Sequence, residues 1–308
     1  MNTFFKIISI FAAASTLFSC SRDTPPTPFE VRDIATQNAA DKIALDTYID
    51  THYISGVDAN LNATIMKIPT GGTNPSIRQQ TTYQLLDTTA VAGGISYPIY
   101  ILKLQNGTQR RPTQVDSIFV SYRGTLADDA STQFDAAPNP IWFRIQEVVA
   151  GWSAVLPSFK TGTYTSGGAN PTVFSGYGAG IMFLPSSLGY YASGNTGIGA
   201  YAPLVFHFKL YELQYRDHDR DGIFSKDERN LSEVFATRLT NWKANPLGVD
   251  TDGDGVFDMF DVDDDGDSFT TKYERQVTQG SPTTTYYSFA NIPTCSDGKK
   301  RHLSAICH

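Results

Sequence analysis

The spacing of hydrophobic residues changes its period several times along the chain. Within residues 35–54 large side chains recur at i, i+3, i+4 and i+7, which predicts a helix with one buried face. These side chains are Leu45, Tyr48, Ile49 and His52, and His52 is interpreted as an ordinary residue of the helix face. Residues 55–95 are rich in Thr, Gly and Asn and show no period, so no element is assigned there.

A period of two begins at Tyr97 and predicts strands. The first strand runs from Tyr97 to Leu104 and ends at an Asn106-Gly107 turn. Two later strands show the same alternation, one in Ile118, Val120 and Tyr122, and the other in Leu204, Phe206, Phe208 and Leu210. His207 and Lys209 therefore lie on the opposite face, where we expect a solvated role rather than a catalytic one.

A helical period returns between these strands, within residues 146–159. Its apolar positions are Val149, Trp152, Val155, Leu156 and Phe159. The combination predicts the α+β class, with an antiparallel sheet wrapped around a short helix, an N-terminal helical segment and a C-terminal extension. A chain of 308 residues with 41% hydrophobic content is long enough for one main domain with smaller attached segments.

Residues 1–19 have the features of a processing signal. Lys6 lies near the start, Ile7 to Phe18 form a largely apolar run, and Leu17-Phe18-Ser19 leads into Cys20 in a pattern that resembles a bacterial lipobox. A helix that spans a membrane needs about 20 apolar residues, and this run has only about a dozen. The resemblance implies cleavage before Cys20, acylation of Cys20 and membrane anchoring through the lipid. We therefore expect an outer membrane lipoprotein on the periplasmic or cell-surface face, with residues 20–34 as a proline-containing tether.

The two remaining cysteines, Cys295 and Cys307, lie close to the C-terminus. In an exported protein we expect them to form a disulfide. Two free thiols are the alternative, because closeness in sequence does not establish the geometry of a disulfide.

The formal net charge of −7 conceals one strongly acidic segment. Residues 217–274 contain sixteen Asp and Glu against six Lys and Arg, a local net charge of −10. Because the acidity is local and the chain shows no basic face, we expect no nucleic-acid partner.

The acidic residues follow the spacing of a twelve-residue calcium loop, which has carboxylates at positions 1, 3 and 5, a glycine at 6, a backbone carbonyl at 7 and a carboxylate at 12. The first loop has Asp217, Asp219, Asp221, Ile223 and Glu228 at the ligand positions. The second has Asp250, Asp252, Asp254, Val256 and Asp261, and the third has Asp263, Asp265, Asp267, Phe269 and Glu274. Asp261 is a shorter final ligand, and Ser268 replaces the glycine of the third loop. The alternative is a solvated acidic stretch.

The surroundings of these loops favour structural calcium over calcium sensing. A sensor EF-hand needs a helix on each side, whereas the first loop is entered from a predicted strand. Only its exit has helical spacing, at Leu231, Val234, Phe235, Leu239 and Trp242. The later two loops are nearly contiguous and resemble thrombospondin type 3 repeats more than paired EF-hands. We expect calcium to hold residues 215–308 folded.

Motifs in the middle of the chain resemble those of FKBP-type peptidyl-prolyl isomerases over residues 95–214. They are VSYRGTL at 120–126, QFDAA at 133–137, FRIQEVVAGW at 143–152, FLPSSLGYY at 183–191 and LVFHFKL at 204–210. The resemblance implies a pocket in which a substrate proline lies on a tryptophan inside a wall of aromatic side chains. Trp152 matches the tryptophan of the family, and the wall is matched by Tyr122, Phe134, Phe143, Tyr190 and Phe206.

The resemblance also assigns roles to the remaining pocket residues. Val148 and Val149 line the floor, the Val149 N–H and the Tyr190 hydroxyl receive substrate carbonyls, and Asp135 is the polar residue of the wall. The chain departs from the family at Val149, where isoleucine is usual, at Ile141, which replaces an aromatic, and at Gly197-Ile198-Gly199, which replaces Ile-Pro-Pro. Residues 161–180 insert a loop that we expect to shape or occlude the pocket.

The resemblance implies a prolyl isomerase that assists the folding of exported proteins, with proline-containing polypeptides as clients, calcium as a structural ion and no cofactor for catalysis. A non-catalytic binding or chaperone module with a calcium-stabilised tail is the alternative, because fold does not determine function. The expected organisation is a signal at 1–19, a tether at 20–34, a helical or irregular segment at 35–94, the isomerase-like domain at 95–214 and the calcium extension at 215–308.

Overall fold

The N-terminal helix α1, Ile34–Thr51, begins and ends for local reasons. Asp33 caps its first turn by accepting the Thr36 N–H at 2.8 Å. The helix ends three residues earlier than predicted, because His52 adopts an extended conformation and opens strand β1, His52–Val57. His52 is therefore not a helix-face residue: it is buried, and its Nδ1 lies 2.9 Å from the Tyr48 carbonyl oxygen.

The computed structural model describes residues 30–92, 94–167, 170–229, 249–281 and 285–308. The lipobox cysteine, Cys20, and the predicted helix that contains Leu231 and Trp242 lie outside these residues. Residues 32–308 form one unit. No helix in the described ranges has both the length and the apolar character needed to cross a membrane.

In the described part of the chain, three antiparallel sheets contain the strands. After β1 the strands are β2 Ala63–Lys67, β3 Gln84–Ala92, β4 Ile95–Gln105, β5 Ser117–Leu126, β6 Gln133–Arg144, β7 Thr163–Gly167, β8 Asn170–Ser175, β9 Gly178–Leu184 and β10 Leu204–Gln214. The main sheet has the order β3-β4-β9-β10-β5-β6, while β1 pairs with β2 and β7 pairs with β8. Residues 55–95, which gave no sequence period, thus supply β2, β3 and the second half of β1.

Within the residues that the structure describes, the helices after α1 are short. Helix α2 spans Ala150–Val155 and helix α3 spans Thr271–Glu274. Single turns of 3-10 helix occur at Ile145–Glu147, Leu156–Ser158, Ser186–Leu188, Tyr191–Ser193, Asp258–Phe260, Phe289–Asn291 and Arg301–Leu303. The predicted helix at 146–159 is therefore a six-residue α-helix between two 3-10 turns.

The central strands of the main sheet are buried on both faces. One face packs against α2 through a cluster that includes Ile101, Val120 and Phe208, and the other face packs against α1 through Tyr100, Leu102 and Phe183. Because successive residues of a strand point to opposite faces, β4 needs apolar residues at nearly every position. The α+β prediction of an antiparallel sheet wrapped around a short helix is confirmed.

The described residues within 161–180 lie mainly in strands rather than in the loop that the sequence suggested. Strands β7 and β8 make a hairpin, and Phe174 of β8 packs on Phe119 at 5.9 Å and on Tyr211 at 5.1 Å between ring centroids. Phe119 alternates with the core residues Ile118 and Val120, so it lies on the face away from α2. The described part of the hairpin thus packs on the far side of the sheet, and the expectation that it shapes or occludes the aromatic pocket is wrong.

Candidate functional site

The residues that the motifs single out for the pocket meet on the α2 side of the main sheet. Strand β5 supplies Tyr122, β6 supplies the aromatic side chains of Phe134 and Phe143, α2 supplies Trp152, and β10 supplies Phe206. All belong to or pack against one hydrophobic cluster, together with Val148, Val149 and Tyr190. Asp135 lies beside Phe134 on the exposed part of β6.

Trp152 is the centre of this aromatic cluster. Its side chain is buried, and three rings meet it nearly edge-on: Tyr122 at 5.3 Å and 88°, Phe206 at 5.5 Å and 79°, and Phe143 at 6.1 Å and 75°. Edge-to-face contacts of this kind are a favoured arrangement for aromatic pairs. They fix the indole in one orientation and surround it with aromatic side chains.

Two glycines of the motifs are required by the packing of the site. A Cβ at Gly124 would lie 2.6 Å from the Phe134 ring and 2.9 Å from the Phe206 ring. Without that Cβ, these two rings meet at 5.5 Å and 86°. A Cβ at Gly151 would lie 2.2 Å from Leu184, so glycine lets α2 lie close against the sheet.

One polar pair lies at the edge of the aromatic cluster. The Tyr122 hydroxyl donates to the Asp135 carboxylate at 2.5 Å, and Asp135 also accepts the Ala136 N–H at 2.8 Å. Burial, followed by the hydrogen bond to Asp135, raises the pKa of Tyr122. The hydroxyl therefore stays protonated at neutral pH and orients the ring; it is not a base.

The rim of the cluster is open to solvent. Phe134, Phe143, Val149 and Tyr190 are only partly buried. Val149 is the N-cap of α2, and within the described residues its N–H has no hydrogen-bond acceptor. The arrangement offers a ligand the partly exposed apolar surface of these side chains and a free donor beside it.

The departures from the family pattern fall at different depths. Ile141 is 40% exposed, while Ile198 is buried within the same cluster as Trp152. Ile198 therefore supplies apolar surface to the cluster from the segment that lacks the usual prolines.

A recess of about 900 Å³ lies on the far face of the sheet. Arg123, His207 and Lys209 line it together with residues of the β1–β2 turn and the β7–β8 hairpin. Lys209 donates to Asn62 at 2.6 Å, and burial lowers the pKa of His207 to about 3. The two residues lie opposite the α2 face as predicted, and both are partly exposed.

The three acidic loops have the same backbone hydrogen-bond network. The carboxylate at position 1 accepts the N–H of position 6, at 3.0 Å in Asp217–Gly222, 3.1 Å in Asp250–Gly255 and 3.0 Å in Asp263–Ser268. The carboxylate at position 5 accepts the N–H of position 7, whose residues are Ile223, Val256 and Phe269. The residue at position 6 has a positive φ of 94°, 99° and 79° in turn, so Ser268 adopts the conformation that glycine adopts in the other loops.

Each loop brings the carboxylates at positions 1, 3 and 5 together. One oxygen of each lies within 4.8 Å of the others in Asp217, Asp219 and Asp221, in Asp250, Asp252 and Asp254, and in Asp263, Asp265 and Asp267. At position 12, Glu228 and Glu274 are buried, and neither carboxylate has a hydrogen-bond partner. Asp261 does not join the second triad, and its Oδ1 accepts the Asp263 N–H at 2.9 Å instead.

The electrostatics of the loops fit a cation. Burial, followed by the neighbouring carboxylates, raises the pKa of Glu228 to about 11 and that of Glu274 to about 9. Burial likewise raises the pKa of Asp219 to about 7. Buried carboxylates without partners are costly, and an oxygen-ligated cation such as calcium would supply the missing partner and charge. Sequence reasoning missed Asp264, which forms a further triad with Asp219 and Glu228.

The first loop is attached directly to the sheet. Its entry follows strand β10, and the Arg216 N–H lies 3.4 Å from a carboxylate oxygen of the buried Asp116. At the exit, Arg229 donates to Gln114 at 2.6 Å. The entry is thus a strand, as predicted, and the predicted exit helix lies outside the described residues.

The C-terminal segment closes on itself through Cys295 and Cys307. The two cysteines form a disulfide bond, as predicted, and their Cα atoms lie 6.0 Å apart. Arg301 of this segment donates to the Glu274 carbonyl at 3.0 Å, which fastens it to the end of the third loop.

Three comparisons with known proteins bear on these sites. A family model described as BamM C-terminal matches residues 218–302. The FKBP-type peptidyl-prolyl cis-trans isomerase FkpA of Escherichia coli K12 is 27% identical over 114 residues, and the chain spans only 36% of that relative, with 36% of this chain aligned. FkpA from two other Escherichia coli strains matches to the same extent.

Solved structures of the same class are also similar. A peptidyl-prolyl cis-trans isomerase from Pseudomonas syringae pv. tomato has a TM-score of 0.36 and 19% identity, covering 60% of this chain and 98% of its own. The crystal structure of FkpA from Escherichia coli has a TM-score of 0.32 and 23% identity, covering 41% of this chain and 51% of its own.

Proposed function

We propose that this protein is a peptidyl-prolyl cis-trans isomerase that assists the folding of exported proteins and carries structural calcium sites. The observation that carries the catalytic part is the cluster of aromatic rings around Trp152. The sequence similarity to FKBP-type isomerases supports the same activity.

The chemistry needs an apolar environment of this kind and no nucleophile. Rotation about an X-Pro bond is opposed by amide resonance, with a barrier of about 18–20 kcal/mol, and that resonance separates charge between oxygen and nitrogen. An apolar environment disfavours the charge-separated planar amide relative to the twisted transition state. The substrate proline ring lies on Trp152, walled by Tyr122, Phe143 and Phe206.

Polar groups at the rim position the peptide. The Val149 N–H and the Tyr190 hydroxyl donate to substrate carbonyls, and Asp135 holds the Tyr122 ring through its hydroxyl. Phe134 packs over Gly124, where the packing tolerates no side chain. Val148 and Val149 supply apolar surface at the base.

The test is refolding of a substrate protein that is limited by prolyl isomerisation. The wild type accelerates this slow phase, and Phe134→Ala lowers kcat/KM by about tenfold, equivalent to about 1.4 kcal/mol of transition-state stabilisation. Trp142→Ala is the matched control, because Trp142 is a 49% exposed aromatic on the same strand and packs on Phe119 outside the cluster. A wild type that leaves the slow phase unchanged on several X-Pro sequences contradicts the proposal.

The three loops are proposed to bind calcium as structural ions. The carboxylates of their triads, the carbonyls of Ile223, Val256 and Phe269, and the buried Glu228 and Glu274 are the ligands. Bound calcium would neutralise the loops and hold their ends together. Equilibrium dialysis of the wild type, followed by metal analysis, tests the binding directly.

Anchoring and location follow from the sequence around Cys20. We propose that the mature chain begins at an acylated Cys20 and is held in the outer membrane, on the periplasmic or cell-surface face. Client polypeptides that contain proline would then meet the aromatic cluster outside the cytoplasm. The match to the BamM C-terminal family over residues 218–302 supports a role for the extension beyond that of the isomerase fold.

A non-catalytic binding or chaperone module is the second candidate. The recess of about 900 Å³ on the far face favours it, because this concave surface is lined mainly by residues other than those around Trp152, of which Tyr122 alone reaches it. Suppression of client aggregation that persists in Phe134→Ala, with no isomerase activity in the wild type, would support this candidate.

A further inference from the structure

Asp264 occupies position 2 of the third loop, a position that supplies no ligand in a twelve-residue calcium loop. Its side chain nevertheless points towards the first loop. One of its oxygens lies within 4.8 Å of carboxylate oxygens of Asp219 and Glu228. These three residues come from two loops that are separated by the whole second loop in sequence.

The surroundings of Asp264 demand a partner. The residue is 1% exposed, and neither of its carboxylate oxygens has a hydrogen-bond partner. Glu228, at 6% exposed, also has two oxygens without a partner. The charges that act on Asp264 are other carboxylates, of Asp258, Asp221 and Asp219. A cation bound between these side chains would satisfy them.

Position 9 of the first loop explains why an outside ligand is needed. In an EF-hand loop, position 9 often contributes through a water molecule. Here position 9 is Ser225, which is fully buried, and its Oγ accepts the His218 N–H at 3.2 Å and lies 2.8 Å from His218 Nδ1. The Ser225 hydroxyl is therefore committed to the loop backbone and the His218 ring.

The same arrangement occurs in the other loops. The N–H of position 2 donates to the side chain of position 9 at 2.8 Å in Thr251–Asp258 and at 3.3 Å in Asp264–Thr271. Position 9 thus serves as a local brace in all three loops. Calcium takes about six to eight oxygen ligands. In the first loop, the place that position 9 would fill is therefore left to a residue from another part of the chain.

We propose that Asp264 is a ligand of the calcium ion held by Asp217, Asp219, Asp221 and Glu228, so that one ion ties the first loop to the third. The inference rests on the proposed calcium sites and adds a cross-loop ligand to them. Arg275 reinforces the same junction, because its Nη1 donates to the Asp221 carbonyl at 2.5 Å. Calcium in the first loop therefore organises the third loop as well.

The experiment is a calcium titration of the full-length, metal-free protein by calorimetry. The variants are Asp264→Asn, Glu228→Gln and the double variant. The matched control is Asp297→Asn, which removes an equal charge at an exposed site outside the loops. Loss of outer-shell partners typically lowers metal affinity about 10–100-fold, so loss of a direct ligand should weaken the affected site by at least about tenfold.

Three results are expected. Asp264→Asn weakens the site that Glu228→Gln also weakens, and the double variant loses less than the sum of the two effects. The Asp297→Asn control binds as the wild type does. Without calcium, Asp264→Asn melts at the wild-type temperature or above, because it removes a buried carboxyl group that has no hydrogen-bond partner, while its gain in melting temperature on adding calcium is smaller.

Each other result has a definite meaning. Wild-type calcium affinity in Asp264→Asn overturns the inference and leaves the calcium sites standing. Equal destabilisation with and without calcium indicates a packing role and also overturns it. If the effects of Asp264→Asn and Glu228→Gln are additive and one further ion is lost from the stoichiometry, Asp264 binds a separate ion, which also overturns the inference. A wild type that binds no calcium contradicts the proposed sites themselves.

Discussion

Removal of calcium should reverse the pH dependence of the stability of the C-terminal extension. In the metal-free chain, burial and neighbouring carboxylates raise the pKa of Glu228 from 4.5 to about 11 and that of Asp264 from 3.8 to about 10. A carboxyl whose folded pKa is raised contributes stability that is complete below its unfolded pKa and is lost as the pH rises towards the folded pKa. The window for both groups therefore spans neutral pH.

The magnitude follows from the protons bound in each state. Between pH 5 and pH 8, as a range chosen for the assay, the unfolded chain has ionised these carboxyls and the folded chain retains the proton. Each retained proton lowers the free energy of unfolding by about 1.4 kcal/mol per pH unit, or about 4 kcal/mol over roughly three units. Calcium binding displaces these protons, so it strengthens as the pH rises.

The assay is hydrogen exchange of peptides from residues 215–229 and 261–276, corrected for the intrinsic effect of pH on exchange. Protection in the metal-free protein should be lower at pH 8 than at pH 5, and saturating calcium should restore it most strongly at pH 8. Peptides from strand β4 provide the internal control, because this strand contains none of the proposed ligands. Metal-free loops that are as well protected at pH 8 as at pH 5 would refute the reasoning.

Three further predictions concern the pocket, the anchor and the coupling between the sites. Gly124→Ala should lower stability by about 1–3 kcal/mol and lower isomerase activity, because its Cβ would lie 2.6 Å from the Phe134 ring; urea unfolding and turnover measure the two effects, and an unchanged turnover would contradict the tight approach. Cys20→Ala should release the protein from membranes without changing its circular dichroism, and a variant that stays in the membrane fraction after alkaline washing would contradict the lipobox interpretation. Removal of calcium should change isomerase turnover by less than about twofold, well under 1 kcal/mol, because the ligands lie outside the aromatic cluster; a several-fold change in a protein with a folded sheet would show that calcium regulates the pocket.

The features that the sequence predicted are those that depend on short spacing or on a motif. A twelve-residue loop fixes its own carboxylates through hydrogen bonds between near neighbours, so the triad of Asp217, Asp219 and Asp221 follows from local order. The alternation of apolar residues around Val120 and Phe206 also depends only on near neighbours, so it predicted which side chains lie on the face of the sheet that packs against α2. The motif resemblance supplied the pocket residues, and the fold brings them around Trp152.

The features that only the tertiary structure decided depend on which surfaces meet. Residues 55–95 show no sequence period, yet they form strands, because pairing with a neighbouring strand outweighs weak local preference. Helix α1 covers the face of the sheet opposite α2, and nothing in its own spacing specifies that partner. Asp264 is one acidic residue among many in the sequence; only the packing of the third loop on the first buries it beside Asp219 and Glu228, because that contact joins segments too far apart for any local pattern to record.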